Sequence, residues 1–82
     1  MFHAIEFRGV VFAEVDRPGY AVLEWILIKE GTRLWANIRP YVTESDEGPI
    51  EVADLFLEDG SIARGVQFAS FQFLDGSIHR NE

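Results

Sequence analysis

The chain predicts an all-β fold, a small bent meander of about six strands closing into a barrel or orthogonal sandwich. Three observations carry that expectation. Glycine turn dipeptides recur between runs rich in Val, Ile, Leu, Phe and Trp, which is hairpin punctuation. Apolar residues alternate with polar ones at period two along several of those runs. At two places the apolar parity changes within a run, and a strand that keeps apolar groups inward through such a change needs a bulge or a corner. Long strands bent in this way are how small barrels close.

The elements follow in order. Residues 3–15 read as a strand broken at Gly9, with Ile5 and Phe7 on odd positions and Val10 and Phe12 on even ones. Pro18-Gly19 favours a type II turn, because Pro fixes φ at the second position and Gly accepts a positive φ at the third. Residues 20–29 form a second strand. A buried helix ending at Gly31 is the competing reading there, but the Val, Leu, Trp, Ile, Leu, Ile content is β-weighted. Glu30-Gly31 then turns the chain into a strand over 32–39. As a two-residue loop it would pair Lys29 with Thr32, Leu27 with Leu34, Trp25 with Ala36 and Leu23 with Ile38. In that register Leu23, Trp25, Leu27, Leu34, Ala36 and Ile38 form the core face. Val22, Glu24, Ile26, Ile28, Arg33, Trp35, Asn37 and Arg39 form the other.

Residues 50–58 are expected to be a strand, with an α+β alternative in which a short helix occupies residues 49–58. Pro49 suits a first helical position, and an acid such as Glu51 suits a first turn. Asp59-Gly60 leads into residues 61–74, where the parity of Val66 and Phe68 gives way to that of Phe71 and Phe73 across Ala69-Ser70. Asp75-Gly76 introduces a last strand over 77–80. The segments 56–64 and 73–80 echo each other, a likeness that two hairpins of similar turn chemistry explain.

Eighty-two residues make a single domain over residues 1–82, a size that buries only about 60% of its extended-chain surface. Seven Phe and two Trp are enough for a core and argue against disorder. The absence of Cys removes disulfides, thiolate chemistry and Cys-type zinc sites. The first residues lack the basic flank and apolar run of a signal peptide, and no apolar run is long enough to span a bilayer. The expectation is a cytoplasmic protein with no membrane partner.

The net charge of −7 has one source. Glu44, Asp46, Glu47, Glu51, Asp54, Glu58 and Asp59 lie within residues 44–59, and no Lys or Arg occurs from 40 to 63; elsewhere seven acids match seven bases. Such a field repels nucleic acid and anionic lipid and attracts a basic surface. The acids fail the EF-hand spacing, and a chain this short leaves little room for a sugar cleft between paired carboxylates.

Neither a phosphate loop, a Gly-x-Ser-x-Gly elbow nor a His-Glu-x-x-His pair is present. His3 and His79 are the two histidines. If the first and last strands paired, the two could meet beside Glu6 or Asp75 as a divalent metal site, but the hairpin expected at Asp75-Gly76 sets His79 opposite Gln72. The expectation is therefore no enzyme, no cofactor and no metal.

Two functional readings remain. The first is a non-enzymatic acidic interaction module, of the kind seen in small inhibitors, immunity proteins and modulators, that docks Glu44, Asp46, Glu47, Glu51 and Asp54 on a basic protein surface with Trp35 as an anchor. The second is a ligand- or single-strand nucleic-acid-binding small barrel using Arg33, Trp35, Asn37, Arg39 and Tyr41, in which the aromatics stack on bases or sugars while the arginines meet phosphate or carboxylate. The face bearing Ile26, Ile28 and Trp35 also suggests a homodimer.

Overall fold

The computed structural model describes residues 1–74. The strands are β1 (Phe2–Phe7), β2 (Val11–Asp16), β3 (Glu24–Ile28), β4 (Arg33–Ser45), β5 (Gly48–Leu57), β6 (Ile62–Gln67) and β7 (Phe71–Phe73), with a single 3₁₀ turn at Phe68–Ser70 between the last two. All pairings are antiparallel, in the order β3-β2-β6-β5-β4-β1-β7. The fold is all-β, a strongly curled sheet that makes a half-barrel. The strand expected over 77–80, the Asp75-Gly76 turn and His79 lie outside the described residues.

The curl follows from chain length. β2 and β1 stand second and sixth in the sheet, so a flat sheet would hold them about 19 Å apart, at about 4.8 Å per strand. The four Cα steps from Phe7 to Val11 reach at most about 14 Å. The sheet must therefore bend until β1 and β2 are two arms of one strand. β3 and β4 make a second bent strand alongside it, and the register runs through the joint without a slip. Glu6 faces Arg33 on one side, and Val11 faces Ile28 on the other.

This corrects the pairing expected from Glu30-Gly31. That segment is a corner, and β3 pairs with β2 while β4 pairs with β1 and β5. The Thr32 amide does donate to the Lys29 carbonyl at 3.1 Å. However, Gly31 has φ of +84° and among the described residues none but glycine takes a positive φ, so Glu30 does not take the left-handed geometry that a type I′ hairpin turn requires. A turn with this sign pattern is of type II, which splays its flanking strands. The Gly31 amide donates instead to the Phe7 carbonyl at 2.8 Å, and the Phe7 amide to the Thr32 carbonyl at 2.9 Å.

The strand faces change with the pairing. Ile26 and Ile28 point inward and pack against the core, whereas Leu23, Trp25 and Leu27 are exposed. That reverses the β3 parity expected and dissolves the dimer face built on Ile26 and Ile28. On the bent β1–β2 strand, odd positions stay inward throughout. Ile5, Phe7, Ala13 and Val15 are buried, while Val10 and Phe12 face solvent. The break at Gly9 is therefore a bend without a change of parity. The β4 expectation holds, with Leu34, Ala36 and Ile38 inward and Arg33, Trp35, Asn37 and Arg39 outward.

The second expected corner is present, and the Phe68–Ser70 turn lets Val66, Phe68, Phe71 and Phe73 all pack on the core. Residues 49–57 are strand, not helix, with Glu58 in the turn that follows, because β5 pairs with β4 along its whole length and with β6 from Val52 to Phe56. Ile5, Phe7 and Leu55 are the largest fully buried side chains, with Ala13, Ala36, Ala53 and Ala63 between them. Small side chains at these positions let the facing strands of the curled sheet approach closely.

Pro18-Gly19 forms the expected turn, with the Tyr20 amide donating to Arg17 at 3.1 Å and Gly19 at φ +81°. Asp59-Gly60 belongs to a three-residue loop, not a two-residue one. The Gly60 amide donates to the Leu57 carbonyl at 3.0 Å, and the Leu57 amide to the Ser61 carbonyl at 2.8 Å. Gly60 takes the left-handed position that such a loop needs, at φ +90°.

Candidate functional site

The acids of residues 44–51 occupy a projecting arm. β1 leaves β4 at Asn37 and β6 leaves β5 at Val52, while β4 and β5 continue as a two-stranded ribbon to the pair Ser45 with Gly48. Asp46 and Glu47 form the two-residue tip. The Ser45 hydroxyl closes the turn, donating to the Gly48 carbonyl at 2.7 Å and accepting the Glu47 amide at 3.2 Å. Glu44, Asp46, Glu47 and Glu51 are all exposed and make no ion pair among the described residues. A lone two-stranded ribbon is marginal in water, and four carboxylates on it add mutual repulsion.

Asp54 is placed differently. Its side chain is only 13% exposed, and it sits where two residues of β6, Arg64 and Gly65, oppose one of β5 across a register shift. That is a β-bulge, and Gly65 supplies its left-handed φ of +64°. Asp54 Oδ1 accepts the Gly65 amide at 2.9 Å and the Tyr41 hydroxyl at 3.0 Å, and Oδ2 lies 3.7 Å from Arg64 Nη1. Arg64 Nη2 in turn meets Asp16 Oδ2 at 3.1 Å. This row ties β2, β6, β5 and β4 together on the outer face. Burial, then the hydrogen bond to Asp54 and its charge, raise the Tyr41 phenol above its ordinary value, against the pull of Arg64 and Arg39.

The Arg33, Trp35, Asn37, Arg39 and Tyr41 strip does face outward. Phe2 stacks on Trp35 with ring centres 6.4 Å apart and planes 17° apart. Arg33 Nε is 3.5 Å from Glu6 Oε2, whereas Arg39 makes no ion pair among the described residues. Tyr41 is engaged by Asp54, which leaves Trp35, Asn37 and Arg39 as its most available groups.

A cleft of about 170 Å³ opens where β3 and β4 splay apart, lined by Ile26, Ile28, Leu34 and Leu57 with Arg17 and Asp59 at its rim. Arg17 Nε lies 2.6 Å from Glu24 Oε1, an ion pair without hydrogen-bond alignment. Asp59 is held below its ordinary carboxyl value by the Ser61 amide, which it accepts at 2.8 Å, then by the Ser61 hydroxyl, with the nearby Arg17 charge adding to the effect. The lining also holds the hydroxyls of Thr32 and Ser61, the latter engaged by Asp59, and no His among the described residues. His3 packs edge-on against Phe73, with ring centres 5.9 Å apart. Among the described residues no three His, Asp or Glu side chains gather as a metal site would require, and no helix is long and apolar enough to cross a membrane.

Sequence reasoning missed the outer face of β2 and β3. Phe12 and Leu27 are directly paired there, Trp25 lies two residues along from Leu27, and Val10 two residues before Phe12. The available signal was alternation itself, since Val11, Ala13 and Val15 form an equally good inward set of smaller side chains. No protein-family model, curated protein or solved structure matches this chain.

Proposed function

We propose that the chain is a non-enzymatic interaction module that presents its β4–β5 ribbon to a basic surface of a partner protein, in the manner of small inhibitors, immunity proteins or modulators. The observation that carries this reading is the projecting ribbon itself, which concentrates Glu44, Asp46, Glu47 and Glu51 without a basic residue between them. Opposite charge would steer encounter and set specificity, and Trp35, exposed on the same β4 strand, would supply apolar contact. Asp54 contributes by holding the bulge at the root of the ribbon.

The test is capture of partners from the source lysate at low and high salt. The bait is compared with a variant carrying Glu44→Gln, Asp46→Asn, Glu47→Gln and Glu51→Gln. Asp54 is left intact because its loss would damage the fold. Binding should weaken steeply with salt and be lost in the variant; a partner retained by the variant at every salt concentration rules the reading out.

The exposed Trp35 beside Asn37 and Arg39, which has no ion-pair partner among the described residues, favours a second reading, a surface for single-stranded nucleic acid or glycan. Fluorescence of a Trp25→Phe background, titrated with oligonucleotides and oligosaccharides at low salt, isolates the Trp35 signal. An unresponsive signal removes this alternative.

A further inference from the structure

The outer face of the β2–β3 ribbon carries Val10, Phe12, Leu23, Trp25 and Leu27 side by side, all exposed, with Trp25 at 69% and Phe12 at 67%. At those exposures the face offers roughly 550 Å² of apolar side-chain surface, at the top of the range for the largest patch on a monomer. A standard interface needs about 800 Å² from each partner, of which this patch supplies about two thirds, leaving the polar rim to supply the rest. The placement costs the monomer something as well, because smaller Val11, Ala13 and Val15 take the inward positions of the same strand.

The rim selects the occupant. By strand alternation Lys29 lies at one end of the face, beside Val10, and Glu14 and Asp16 lie at the other, beside Trp25 and Leu23. Lys29 and Glu14 make no ion pair among the described residues, whereas Asp16 is engaged by Arg64. A two-fold axis lying in the interface plane and running across the strands turns a second copy end for end, setting Lys29 of each copy over the Glu14 end of the other. An axis along the strands would set Lys29 against Lys29 and Glu14 against Glu14. The face is thus complementary to itself in one orientation, as an isologous dimer requires. The acidic ribbon stands at the opposite end of the bent β3–β4 strand, which keeps the two largest negative fields away from the contact.

We infer that this chain forms a two-fold dimer through the outer face of β2 and β3, with Phe12, Trp25 and Leu27 at its centre and Lys29 crossing to Glu14 of the second copy. The experiment is a solution mass by light scattering from micromolar to millimolar concentration, with circular dichroism on each variant. Because the altered side chains are exposed, Trp25→Ser and Phe12→Ser should keep the native spectrum and each weaken association about tenfold or more. Trp35→Ser should leave the dimer unchanged. Lys29→Glu should weaken it, and Lys29→Glu combined with Glu14→Lys should restore it. A monomeric mass at all concentrations overturns the proposal, as does a dimer indifferent to both Trp25→Ser and Phe12→Ser. Failure of the double charge exchange to restore association overturns the orientation.

Discussion

The carboxylate of Asp54 accepts the backbone amide of Gly65 at 2.9 Å across the β5–β6 bulge. The bulge frees that amide from the ladder, and a side chain takes over the role of the missing strand carbonyl. The same oxygen accepts the Tyr41 hydroxyl, so one residue fixes both the bulge and the root of the acidic ribbon.

Asp54→Ala should therefore destabilise the fold by about 2–3 kcal/mol, because it strips an acceptor from two donors and a charge partner from Arg64. Asp54→Asn, which keeps one acceptor oxygen, should cost less. Urea denaturation of the two variants would measure the difference, and equal losses would mean that the charge is the important element.

Two glycines at positive φ should respond unequally. A Cβ on Gly31 meets nothing within 4 Å, so Gly31→Ala should cost about 1–2 kcal/mol from backbone strain alone. At Gly60 a Cβ would come within 3.0 Å of Pro18 Cγ. Gly60→Ala should consequently be the worse substitution, and thermal denaturation of the pair would show it.

The corrected face of β3 can be read from neighbouring positions. Ile26→Ser should cost about 2–4 kcal/mol, since it removes apolar packing and places a hydroxyl against the core. Leu27→Ser should stay within about 1 kcal/mol at protein concentrations low enough to populate the monomer. The reverse ranking in denaturant melts would restore the pairing of β3 with β4.

The pH dependence has one contribution at each end of the scale. Tyr41 has a raised value in the folded state, so its contribution is complete below the ordinary 10.0 and is lost as pH rises through the raised value. Asp59 has a lowered value, so its contribution is complete above the ordinary 3.8 and is lost as pH falls through the lowered one. Stability followed against pH should lose part of its alkaline fall in Tyr41→Phe and part of its acid fall in Asp59→Asn.

Much of the architecture was legible locally. The Pro18-Gly19 turn, the corner near Ala69-Ser70 and the outward set Arg33, Trp35, Asn37 and Arg39 all rest on φ preferences and period-two alternation, which are written into neighbouring residues, whereas the bend at Gly9 was expected from a parity change that the strand does not make. The acidic stretch was equally plain as composition. Its form as a projecting ribbon was not, because that depends on where β1 and β6 stop pairing, and neither stop is encoded within residues 44–51.

Local residue pattern is enough to specify an all-β chain with bent strands and one concentrated negative field. Which residues of β3 face solvent is set by contacts between distant segments. Glu30-Gly31 and Phe7 are distant in sequence, and it is their hydrogen bonds, together with the reach of three linking residues, that turn an apparent hairpin into a corner. Because side chains alternate at every residue, that one change of partner carried Ile26 and Ile28 into the core and brought Trp25 and Leu27 to the surface.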